Sequence, residues 1–239
     1  MQTTSSPTSD RPSAGSRRTS VRAGALGGWL TLAALQIGLS FLGRSSGQTE
    51  RNALFDWAVA ASGLVAYAIL IGLTVLCAQG FERPRKALGL RGFERRWLGY
   101  AALVVLGALV LSAALEPLLH AGKEQGLEPT SWQSNRAGAF AANAIVIALL
   151  APFAEELFFR GLGVPVLAFL GAAPAVVGTA IVFGLAHGLP VALPQLMAFG
   201  AGLAWIRLRS ASVWPGITAH ASYNTIGLAL ALASIASHH

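Results

Sequence analysis

An all-α bundle of about seven membrane-crossing helices is the fold class that this sequence predicts, and three observations predict it. Only 11% of the 239 residues are charged and 54% are hydrophobic, whereas a typical soluble domain is about 25% charged. The deficit is also uneven. From Ala137 to the C-terminal end the only Lys, Arg, Asp or Glu residues are Glu155, Glu156, Arg160, Arg207 and Arg209, too few to solvate the surface of a soluble fold. Finally, apolar runs of about the 20 residues that a membrane helix needs recur along the chain, with short polar connections between them.

Residues 1–22 are rich in Ser, Thr, Pro and Arg and poor in large apolar side chains, and they are expected to form a disordered basic tail. The first span then runs from Gly24 to Gly43. Basic residues ahead of an apolar stretch can mark a cleavable signal. No small-x-small cleavage site precedes the next polar loop, so a retained helix is expected. Further spans are read from Trp57 to Gly80, Trp97 to Leu119, Gly138 to about Leu162, Ala172 to Leu189, Leu193 to Ile206 and Val213 to Ile235. Residues 161–173 are apolar as well, so the fourth segment is expected to be long or broken. The organisation that follows is a tail at 1–22, N-terminal transmembrane helices at 23–136, and a transmembrane core at 137–239 that holds the chemistry.

The net charge of +7 sits largely in the tail (Arg11, Arg17, Arg18, Arg22) and in a cluster formed by Arg83, Arg85, Lys86, Arg91, Arg95 and Arg96. Apolar segments flank both groups, so they read as cytoplasmic anchors rather than as a nucleic-acid surface. With the N-terminus inside, even-numbered spans return to the cytoplasm, which places the cluster and the pair Arg207/Arg209 on that side. Trp57, Trp97 and Trp214 lie at span ends, where they are expected as interface anchors. Glu116 and His120, four apart near the end of the third span, read as an interfacial pair. Cys77 has no partner for a disulfide. No barrel pattern is present, so in a source with two membranes the bacterial inner membrane is the expected location.

Ionisable side chains in a bilayer core cost several kcal/mol, so each is a functional hypothesis. Glu156 and Arg160 are four apart, which puts them on one helix face in the favourable order for an ion pair. Glu155 is turned about 100° from its neighbour and is left for other work. His220 and Asn224 also share a face. If the turn between spans four and five lies at Gly171–Pro174, Glu155 is 16 residues before it and His187 is 13 after it, so antiparallel packing brings them to one depth. His220 enters from the Arg209 side, and its depth is not fixed by simple spans. Peptide hydrolysis requires an activated water and a donor for the oxyanion. A carboxylate, two imidazoles and the Asn224 carboxamide supply those parts.

The sequences EExxxR at Glu155–Arg160, FxxxH at Phe183–His187 and HxxxN at His220–Asn224, in that order, resemble the three motifs of the type II CAAX prenyl endopeptidase family. The same family is called the CAAX-protease and bacteriocin-processing (CPBP, Abi) family. The likeness covers about the last 90 residues. It implies a glutamate-dependent intramembrane endopeptidase in which Glu155 activates water, His187 and His220 assist, and Asn224 stabilises the oxyanion. Glu156, Arg160 and Phe183 are then supporting residues. It also implies a membrane-anchored, prenylated or C-terminally anchored protein as substrate. Eukaryotic members trim prenylated CAAX ends, and bacterial members are tied to bacteriocin processing or immunity and to sorting of C-terminal anchors.

No cofactor is required in this reading. Glu155, His187 and His220 would also make a zinc-ligand set, although the HExxH helix motif is missing. Other intramembrane proteases fit less well. Asp10 and Asp56 are the only aspartates, which leaves no pair inside the membrane, and no G-x-S serine pairs with either histidine. The reading from another class is a proton-coupled transporter or a bacteriocin-immunity protein that acts by binding, since transporters also keep Glu and His inside a bundle.

Overall fold

The computed structural model describes residues 14–45, 52–120 and 131–237. Among these residues the chain is helical and contains no strand. Helix α1 is Ala14–Ser45, α2 is Trp57–Ala78, the short α3 is Pro84–Ala87, and α4 is Arg96–Leu119. Helix α5 covers residues 137–167; α6 is Ala172–Ala186, α7 is Leu193–Ser210 and α8 is Trp214–Ser237. The seven long helices stand where the seven apolar segments were read. Four stretches are long and apolar enough to cross a membrane: Ala23–Arg44, Trp57–Ala78, Arg96–Leu119 and Ser134–Leu170. Helix α6 is apolar but shorter. Helices α7 and α8 are diluted by arginines in one and by Thr, His, Ser and Asn in the other.

Local chemistry explains most of the boundaries. Asp56 caps α2 by accepting a hydrogen bond from the Ala58 amide at 2.7 Å. Gly171 turns the chain between α5 and α6 at φ 104°, which a side chain would resist. Helix α1 begins at Ala14, inside the segment expected to be an unstructured tail, because no proline lies between Pro12 and Ser45 and the helix propagates outward from its apolar part. Residues 1–13 of that expected tail lie outside the described residues.

Helix α5 is long, as anticipated, and it is not uniformly α-helical. Val146–Leu150 and Glu156–Gly163 are π-helical. Each widened stretch runs directly into a proline, Pro152 in one case and Pro165 in the other. A proline has no N–H to donate and its ring crowds the carbonyl four residues earlier, and a wider turn relieves both problems.

The bundle packs small residues against large ones. A Cβ at Gly163 would stand 2.9 Å from the Trp29 ring, so α1 approaches α5 closely only because that position is glycine. Trp29, Phe158, Phe159, Phe183, Leu162 and Leu203 are fully buried. Many Leu, Ile and Val side chains on the outer faces of α1, α2 and α4 are exposed, as expected where the surrounding medium is lipid.

Two polar fastenings hold the ends. At one end Asn143 of α5 donates through Nδ2 to the carbonyls of Leu54, Asp56 and Ala139 at 3.2, 2.9 and 3.1 Å. Phe55, Trp132 and Phe140 cluster beside it, with Phe55 5.4 Å from both other rings. At the other end Arg207 donates to the Ala87 carbonyl at 2.7 Å, Ser212 donates to the Arg91 carbonyl at 2.7 Å, and the Val213 amide donates to Gly89. The basic loop and the Arg207/Arg209 end of α7 therefore lie on the same side, as the charge pattern required. Arg207 is buried and structural, while Arg209 is exposed.

Replacing Asn143 with the similarly sized Leu leaves buried carbonyls without their donor. The expected result is a loss of about 1–3 kcal/mol, read as a lower thermal midpoint of the detergent-solubilised protein.

Candidate active site

The middle of α5 sets the site. Glu155 closes its central α-helical turn and Glu156 opens the second π-helical stretch, so the two carboxylates leave the helix in different directions. Glu156 meets Arg160 at 2.7 Å, and neither side chain has any solvent exposure. Arg160 also donates through Nη2 to the Gly200 carbonyl of α7 at 3.1 Å, and its guanidinium carbon lies 4.2 Å from the centre of the Phe183 ring of α6. The other oxygen of Glu156 faces the first turn of α8: a Cβ at Gly216 would stand 2.7 Å from it. The positive end of that helix favours a carboxylate.

Glu155 points toward the two histidines. Its Oε2 lies 3.8 Å from His187 Nε2 and 3.9 Å from His220 Nε2. Both gaps are too long for a direct hydrogen bond. Oε2 is buried and has no hydrogen-bond partner among the described residues. The second oxygen, Oε1, accepts from the Tyr67 hydroxyl of α2 at 3.0 Å.

The outer nitrogens of the histidines are held from behind, and this fixes their tautomers. His187 Nδ1 lies 2.7 Å from the Phe183 carbonyl. A carbonyl only accepts, so Nδ1 carries the proton and Nε2 of the neutral ring is the free base. His220 Nδ1 lies 3.2 Å from Glu156 Oε1, which the ion pair with Arg160 keeps as an acceptor, so the same tautomer follows. With neutral rings, both imidazole Nε2 atoms thus turn an acceptor toward Glu155 Oε2. Such a cluster calls for a species that brings protons or positive charge. His187 keeps 26% of its side chain exposed, against 8% for Glu155 and 4% for His220, so the cluster opens at the end of α6.

Phe183 is fully buried and joins the parts. Its ring centre is 4.6 Å from that of His187, 5.7 Å from His220 and 5.3 Å from Phe159. Asn224 is placed differently from its expected partners. It donates through Nδ2 to the Ile147 carbonyl, in the first π-helical stretch, at 2.8 Å, and makes no hydrogen bond to Glu155, His187 or His220. Ile147 lies two turns before Glu155, so the carboxamide sits farther along α5. His220 stands six residues beyond Trp214, whose ring is 6.1 Å from that of Phe153 on α5, and this brings it alongside Glu155.

Tyr67 was missed by the sequence reading, which gave α2 only a spanning role. The available signal was position: Tyr67 is the eleventh of 22 residues in a helix without a charged side chain. A hydroxyl at that depth must find a partner.

Arg160→Met leaves Glu156 buried without compensation and is expected to destabilise the protein by about 3–5 kcal/mol. The double variant Arg160→Met with Glu156→Gln is expected to recover most of that loss. Thermal unfolding of the two variants in detergent makes the comparison.

No curated protein and no solved structure matches the chain. One family model does. Its match begins at the N-terminus of α5 and ends in α8, so it takes in every residue from Glu155 to Asn224 described above. Together with the long apolar helices it supports an integral membrane protein with CAAX-type protease activity in general. Residues 137–226 match the family described as type II CAAX prenyl endopeptidase Rce1-like, the family that the three motifs resemble.

Proposed function

We propose that the chain is a glutamate-dependent intramembrane endopeptidase that hydrolyses a peptide bond in a membrane-anchored or lipid-modified protein. The observation that carries this reading is the convergence of Glu155 Oε2 with both Nε2 atoms at 3.8 and 3.9 Å. A water placed between them can donate to two of the acceptors and turn a lone pair toward a peptide carbonyl. Glu155 takes one proton as the water oxygen bonds to the carbonyl carbon. The proton then passes to the leaving amine as the C–N bond breaks, with His187, the most open of the three, nearest to an incoming substrate.

Tyr67 acts as a positioning residue in this scheme. Its hydroxyl holds Oε1, which turns Oε2 toward the histidines. Glu156 and Arg160 hold His220 in its tautomer. Asn224 keeps one N–H beyond its bond to Ile147, and we assign that donor to the oxyanion. Among the described residues no group of three His, Cys, Asp or Glu side chains is arranged to hold a metal ion. We propose that water alone suffices, with the Glu155/His187/His220 set as the zinc alternative. The N-terminus and the basic loop are proposed to face the cytoplasm, in the inner membrane of a bacterial cell.

The test compares membrane-protein termini by quantitative mass spectrometry in cells that lack the endogenous protein and express either the wild-type chain or Glu155→Gln at matched levels. New termini are expected with the wild type alone. Identical profiles at matched levels would move the assignment to a transporter or a binding-type immunity protein.

With a cleaved substrate in hand, Tyr67→Phe is expected to lower kcat by about 10- to 100-fold with KM little changed, from loss of one hydrogen bond to a charged group. A zinc chelator is expected to leave the rate of the wild-type protein unaltered.

A further inference from the structure

A second site, which shares no residue with the first, lies on the side of the basic loop. The N-terminus of α4 and the C-terminal end of α7 enclose a cleft of about 320 Å³ lined by Arg96, Trp97, Tyr100, Trp205 and Arg209. Its walls are aromatic and mutually packed. The ring centres of Trp97 and Tyr100 are 5.2 Å apart, those of Trp97 and Trp205 6.0 Å, and those of Tyr100 and Trp205 5.5 Å. The rim is cationic, with the Arg96 guanidinium 5.5 Å from the Trp97 ring and that of Arg209 6.0 Å from the Trp205 ring. Arg96 shares an exposed contact with Glu94 at 3.0 Å. Arg209 has no hydrogen bond or ion pair among the described residues.

We propose that this cleft binds the phosphate headgroup of an anionic membrane lipid. Arg96 opens one of the stretches able to cross a membrane, so the rim stands at headgroup depth. Tyr100 lies one turn deeper. Beyond it the exposed Leu103 and Val110 continue along the same face of α4 and offer a path for an acyl chain. Charge above and apolar surface below fit an amphiphile better than a soluble anion. Arginine favours phosphate because its planar fork matches the phosphate oxygens, and the tryptophan and tyrosine rings favour the interface itself. Trp97 was expected to be an interface anchor at a span end. It is buried instead, as the floor on which the two exposed rings rest.

The test is native mass spectrometry of the full chain titrated with phosphatidylglycerol, phosphatidylcholine or inorganic phosphate. Phosphatidylglycerol is expected to bind in preference to phosphatidylcholine. The double variant Arg96→Gln/Arg209→Gln should reduce that preference on the order of 30-fold, about fivefold for each arginine. Arg85→Gln/Lys86→Gln, on the same basic loop but outside the cleft, should stay within about twofold of wild type. Trp205→Leu removes a wall without altering charge and should weaken retention several-fold, which gives a reading independent of the arginines' effect on folding. Undiminished preference in both cleft variants would overturn the proposal. So would an equal loss in the loop variant, which indicates diffuse attraction, or displacement of the lipid by millimolar inorganic phosphate, which indicates a site for a soluble anion.

Discussion

A guanidinium shut away from water must be held by protein groups, and Arg160 is held by groups from three helices, with a fourth attached through Glu156. Its own helix supplies Glu156, α7 supplies the Gly200 carbonyl, α6 supplies the face of Phe183, and α8 is attached through the bond between Glu156 and His220. Its Nε makes no hydrogen bond among the described residues, so the arrangement is not perfectly satisfied. Buried pairs of this kind contribute little net stability compared with apolar packing, yet they penalise any arrangement that separates them. That penalty fixes the rotation and depth of α6, α7 and α8 around α5, and both histidines depend on it.

The helices before residue 137 have a part in the same arrangement. Helix α1 lays Trp29 against Gly163 and Phe158, and its Ser40 donates to the Ala186 carbonyl at 2.6 Å, next to His187. Helix α2 brings Tyr67 to Glu155. The matched segment supplies the carboxylates and imidazoles, and the N-terminal helices supply the walls and one hydroxyl. The surroundings of Glu155 and His187 are therefore completed by residues that the motifs do not contain.

The helical class, the ion pair of Glu156 with Arg160, and the meeting of Glu155 with His187 were legible because each follows from composition or from helix periodicity. The shared depth of Glu155 and His187 followed from counting residues to a glycine turn. What could not be read depends on three-dimensional placement. The packing of α8 beside α5 has no local sequence signature, so the depth of His220 stayed open. The bond from Asn224 to Ile147 depends on a widened turn that spacing rules assume to be absent. Arg207 looked like its neighbour Arg209, yet one is buried under Gly89 and the other lines a cleft, a difference set by packing and not by residue type.

The two π-helical stretches of α5 give this helix a tolerance of length that its neighbours lack. A π stretch behaves as an α-helix that has absorbed an extra residue. Losing one apolar residue from such a stretch lets the helix return to the ordinary pitch while the segments on either side keep their facing. Glu156 and Arg160 still share a face at that pitch, whether four residues apart or three. In α2, which has no such stretch, the loss of one residue turns everything beyond it by about 100°. A residue lost between Trp57 and Tyr67 would carry the Tyr67 hydroxyl away from Glu155, although it removes only a side chain that faces lipid.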